Sequence, residues 1–146
     1  MLAMLMVGLW SAFAFPRRVW ICPAAFVAFM LAGFAAGVSG LSLPGAELLI
    51  LASLIILGLA LMFERKAPIA AALPVIGLFA IGHGFAHGAE IAPGDSGIAF
   101  AGGFVVTTIA LHLAGILLAR IACLPMIGRT VGLTATAAAA TILWSS

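Results

Sequence analysis

With 146 residues, 66% of them hydrophobic and only 7% charged, the chain has a mean hydropathy of +1.37 and a formal net charge of +2. Soluble domains average about 25% charged and 45–50% apolar residues, so a water-soluble fold is excluded and an integral membrane protein is predicted. The small charge, with no long basic cluster, excludes nucleic acid as a partner.

Six apolar runs follow in chain order, at about 2–15, 19–39, 46–63, 69–92, 98–121 and 130–144. None alternates with period two, so the runs are helices. The predicted fold class is therefore all-α, a single transmembrane domain over 1–146 built as a bundle of six spanning helices. Its 17 glycines and lack of tyrosine suit small-residue helix packing in lipid. The two cysteines, Cys22 and Cys123, are far apart and predict neither a disulfide framework nor a zinc knuckle.

The first run is short. About 14 apolar residues precede Phe15-Pro16, or roughly 21 Å of helix, where a bilayer crossing takes about 20 residues. Its arginines follow the apolar stretch, which argues against a signal peptide. The expectation is a first helix truncated at its N-terminus, its opening turns lying upstream of Met1.

Charge sets the orientation. Arg17 and Arg18 follow the first run, Arg65 and Lys66 the third, and Arg120 and Arg129 flank the fifth connection, whereas 40–45 and 93–97 hold no Lys or Arg. All positive charge thus falls on one side, which the positive-inside rule makes cytoplasmic. An even number of spans then puts both termini outside.

The fourth run carries the chemistry. In Gly82-His83-Gly84-Phe85-Ala86-His87-Gly88-Ala89-Glu90, two histidines and a glutamate at i, i+4 and i+7 share one helical face. Ionisable groups at membrane depth are costly, and imidazole with carboxylate is a ligand set for divalent transition metals. On the predicted topology Glu90 lies near the outer surface, His87 about a turn deeper and His83 deepest, about 10 Å inward. Glu47, opening the third run after Pro44-Gly45, is a further acidic candidate on the same side, and His112 in the fifth run lies beyond the midplane.

Plainer roles compete for single residues. A histidine such as His112 commonly serves as a hydrogen-bonding strut, Gly84-xxx-Gly88 as a packing motif, and Glu47 as a wetted interfacial residue. Gly94-Asp95-Ser96-Gly97 matches a protease nucleophile tetrapeptide but lies in a short connection and predicts a turn. The glycines between Gly37 and Gly40 lack the Gly-Lys-Ser/Thr of a phosphate loop, so ATP coupling within this chain is not expected. No Ser or Cys stands in hydrolytic relation to the histidines, so an enzyme is not expected either.

The run from His83 to Glu90 resembles the signature Phe-His-Gly-x-Ala-His-Gly-x-Glu of the HupE/UreJ family of hydrogenase and urease accessory membrane proteins. Every position after the first agrees, Gly82 standing where the family has Phe. Leu2-Ala3-Met4-Leu5 through Val7-Gly8-Leu9-Trp10, Pro44-Gly45-Ala46-Glu47 and Leu111-His112-Leu113-Ala114-Gly115 agree in the same order. The resemblance implies nickel permeation across a bacterial cytoplasmic membrane for hydrogenase or urease maturation, with His83, His87 and Glu90 carrying the function. A second family signature, His-x5-Asp-His, precedes the Leu-Ala-Met-Leu segment, so the resemblance too points upstream of Met1.

The expected ion is transported Ni²⁺, with Co²⁺ equally compatible and no permanently bound cofactor. It would be captured by Glu90, with Glu47, and passed inward through His87 and His83 toward His112. Expected partners are the lipid bilayer, hydrogenase or urease maturation proteins, and a second copy of the chain in a homo-oligomer. Two rival readings stay open: a non-transporting accessory protein that binds metal or maturation factors, and a bis-histidine haem protein using His112.

Overall fold

The computed structural model describes residues 1–92, 96–121 and 124–145, with backbone only at 124–127 and 145. The predicted turn at Gly94 and Asp95, and Cys123, lie outside the described residues. The described residues form six α-helices: α1 Leu2–Ala14, α2 Ile21–Val38, α3 Ala46–Met62, α4 Ile69–Ala89, α5 Gly97–Ile121 and α6 Leu124–Ser145. Three of them, α2, α4 and α5, with 18, 21 and 25 residues, are long and apolar enough to cross a membrane, while the apolar α1 and α3 are shorter.

The last helix begins earlier than its apolar run, at Leu124 instead of about 130. Arg129 reads in sequence as part of a polar connection, yet helix already contains it. Its guanidinium reaches Glu64 at 3.2 Å beyond the end of α3, so the charge is met without breaking the helix. Pro125 falls in the first turn, where its missing N–H is tolerated.

The helices associate as three close pairs, and their contacts give each pair a direction. Along α1 and α5, Met4 meets Thr108, Gly8 meets the His112 backbone, and Leu5 and Leu9 meet Gly115. Rising numbers pair with rising numbers, so these helices run parallel. The same holds for α2 and α4, where Gly33 faces Ile81 and Gly37 faces Phe85, while Gly84 faces Met30 and Gly88 faces Phe34. In α3 and α6 the order reverses, with Gly58 against Gly132 and Thr136, and Gly132 against Met62.

A Cβ on Gly84 would overlap the Met30 carbonyl and crowd the Phe34 amide, so only glycine permits this approach of α4 to α2. With hydrocarbon outside, such backbone proximity replaces the hydrophobic effect as the main source of helix–helix attraction.

The short α1 is the most enclosed element. Eight of its 13 residues, from Ala3 to Ser11, are buried, and it touches α2, α3, α5 and α6. Met4, Met6 and Leu9 pack with Phe26, Met30 and Ile76 in the core. Conversely Val106, Leu117 and Ile121 on α5 are 68%, 54% and 79% exposed. An outer surface this apolar suits hydrocarbon, not water; it is that of a membrane protein.

At one end, Trp10 Nε1–H donates to the Arg65 carbonyl at 2.8 Å, and Lys66 Nζ lies 5.0 Å from the Phe13 ring centre. The last turns of α1 are thereby tied to the α3–α4 connection. Trp10→Phe keeps an aromatic ring but removes the donor and part of a buried side chain. Thermal unfolding in detergent should show a loss of about 1–3 kcal/mol, the net value of one hydrogen bond plus the cavity left behind.

Candidate metal-handling site

The helix that carries the histidines is held by its glycines. Gly84 and Gly88 press against α2, and Gly82 lies beside Leu49 of α3. Residues between them must then project into the gaps beside α2. His83 and His87 do so one turn apart, with different outcomes.

His87 is half-buried. Its ring centre is 4.4 Å from that of Phe104 and 6.4 Å from that of Phe100, both on α5. Its Nδ1 lies 3.5 Å from Glu90 Oε2. Glu90 is the residue that ends α4, and its carboxylate is 72% exposed. A carboxylate at the negative end of a helix dipole is unfavourable for stability, and it deepens the local negative potential. Glu47 occupies the first turn of α3, entered through Gly45 with φ 84°. It and Glu90 line one groove of about 430 Å³ together with Leu43 and Ala86. Two carboxylates and the carbonyl end of α4 therefore face a shared open groove, an arrangement that attracts cations.

His83 is buried, 3% exposed. Its Nδ1 is 2.9 Å from the Phe79 carbonyl. A carbonyl only accepts, so Nδ1 carries the proton and Nε2 is left as an acceptor. His112 is buried as deeply, and its Nε2 has no hydrogen-bond partner among the described residues. Both imidazoles pack on Phe26 of α2, with ring centres 5.7 Å away for His83 and 5.3 Å for His112.

The five candidates thus fall into two groups. Glu47, Glu90 and His87 form an outer group at the ends of α3 and α4, and His83 and His112 an inner pair about Phe26. No three His, Cys, Asp or Glu side chains converge as a closed metal site among the described residues. Phe26, on which the inner pair packs, and Phe104, on which His87 packs, carry no signal in sequence, because an aromatic in an apolar run reads as packing.

The family described as HupE / UreJ protein matches residues 1–143 of this chain. Protein HupE of Rhizobium leguminosarum bv. viciae is 38% identical over 120 residues, which cover 82% of this chain and 63% of that protein. The chain therefore spans less than two thirds of the length of this relative. No solved structure matches.

Proposed function

The chain belongs to the HupE/UreJ family, and from that membership we propose that it is a nickel permease of a bacterial cytoplasmic membrane, serving hydrogenase or urease maturation. The observation that carries this reading is the outer group, where Glu90 touches His87 and shares a groove with Glu47. A hydrated divalent ion reaching that groove meets two carboxylates first and an imidazole next. That order suits attraction followed by partial dehydration.

All six helices cross the membrane in this proposal, with both termini outside. Parallel α1 and α5, parallel α2 and α4, and antiparallel α3 and α6 agree with odd helices running inward and even helices outward. The Trp10–Arg65 bond gathers the end of α1 and the Arg65-Lys66 connection at one face, as cytoplasmic positive charge requires. An inside-negative potential favours a divalent ion by about 4.6 kcal/mol per 100 mV, so modest accumulation needs no ATP. Ligation spread over separate stations, without a closed cage, allows release. Co²⁺ would be accepted by the same ligand types.

Radioactive nickel uptake into proteoliposomes with an imposed inside-negative potential tests the proposal. Uptake that collapses with the potential is expected. Nickel bound without flux would replace permeation with the accessory-protein reading, and a Soret band in the purified chain would favour haem instead.

A further inference from the structure

The stripe on α4 suggests a path running straight down that helix, but the open space beside His87 leads elsewhere. A cavity of about 410 Å³ is lined by Met1, Met4, His87, Phe104, Thr107 and Thr108. It lies between α4, α1 and α5, and its wall includes the buried Met4 and Thr108, the latter with no exposed surface. Threonine in a membrane helix commonly returns its hydroxyl to a carbonyl one turn back, as Thr107 does to Gly103 at 2.9 Å. Thr108 reaches across helices instead. Its Oγ1 lies 3.5 Å from Met30 Sδ on α2 and 3.8 Å from Met4 Sδ on α1. Both methionines are buried, at 0% and 2% exposed. One turn further along α5, on the same face, stands His112 with its partnerless Nε2.

We propose that Met4, Met30 and Thr108 form a thioether–hydroxyl station that takes a transition-metal ion from the His87 cavity toward His112. This rests on the permease reading and reroutes it, moving the inward path from α4 to the seam of α1, α2 and α5. His83, whose Nδ1 faces the Phe79 carbonyl and whose ring packs on Phe26, lies beside this route.

The chemistry suits a filter. Thioethers are soft, neutral ligands that favour Cu(I)-like and borderline ions and offer little to Mg²⁺ or Ca²⁺. Three uncharged donors hold a divalent ion weakly, so it moves on. The Thr108 hydroxyl rotates about its C–O bond, turning its proton from sulfur so that oxygen can face an arriving ion.

Silver ion is the probe, used on the purified full chain with Cys22 and Cys123 replaced by alanine to remove thiolate binding. Met4→Leu/Met30→Leu conserves volume and should weaken Ag⁺ binding at least tenfold, with sulfur lost from the X-ray absorption shell. Thr134→Val, on α6 with its hydroxyl on the Thr130 carbonyl, should leave binding unchanged. Each single Leu variant serves if the double variant does not fold. Unaltered Ag⁺ binding in the leucine variants overturns the station. Nickel uptake separates it from the wider reading. A station that binds Ag⁺ in a chain moving no nickel refutes permeation alone, whereas leucine variants with wild-type nickel uptake and intolerance of Mg²⁺ refute the station alone.

Discussion

Glu90→Gln is expected to lower nickel uptake at limiting concentration by tenfold or more, with the half-saturating concentration rising. The substitution preserves shape and removes one negative charge from a group 3.5 Å from His87 Nδ1. At an effective dielectric constant near 20, a carboxylate 4 Å from a divalent cation contributes about 8 kcal/mol of attraction. Most of this is offset by hydration that the ion gives up. A remainder of only about 1.4 kcal/mol corresponds to the tenfold effect. Glu64→Gln is the control, because Glu64 pairs with Arg129 beyond the end of α3 and should leave uptake unchanged. Initial rates over a nickel concentration series decide the matter. Equal rates for Glu90→Gln and the unaltered chain would remove Glu90 from the path.

Gly84→Leu should be the most damaging single change to the fold. The new Cβ would meet the Met30 carbonyl and the Phe34 amide, which are backbone atoms that no rotamer change can move. Overpacking a core typically costs about 1–3 kcal/mol; here α2 and α4 must separate, so the upper end or beyond is expected. Separation would also draw His83 from Phe26 and shift His87 relative to Phe104. Gly102→Ala is the counterpart, since a Cβ there meets nothing within 4 Å. Alanine should be neutral or stabilising by up to about 1 kcal/mol through helix propensity. Thermal unfolding in detergent compares the two directly. Equal midpoints for Gly84→Leu and the unaltered chain would mean that α4 does not rest on α2 at this position.

The stripe on α4 was readable because its signal is local. His83, His87 and Glu90 lie within eight residues of one another, and helical periodicity alone places them on one face at graded depth. Residue burial follows that gradient, from 3% exposed at His83 to 39% and 72% for the side chains of His87 and Glu90. Glu47 was a weaker inference, drawn from the end of the run it opens. Its sharing of a groove with Glu90 depends on α3 packing against α4, which no spacing within either run encodes.

Apolar composition was enough to predict a membrane protein built of helices, since the cost of unpaired backbone in lipid leaves few alternatives, and the described residues hold six of them. The start of α6 lies ahead of its apolar run, because Arg129 looks like a connection until Glu64 is seen beside it. Which helices pair was decided only by the tertiary structure. In a chain with this many small residues many seams are conceivable, and the choice rests on backbone atoms meeting at Gly8, Gly84 and Gly132. The same packing joined Met4, Met30 and Thr108, residues from three helices whose sulfur and hydroxyl chemistry stays invisible until α1, α2 and α5 bring both sulfurs within 4 Å of the Thr108 hydroxyl.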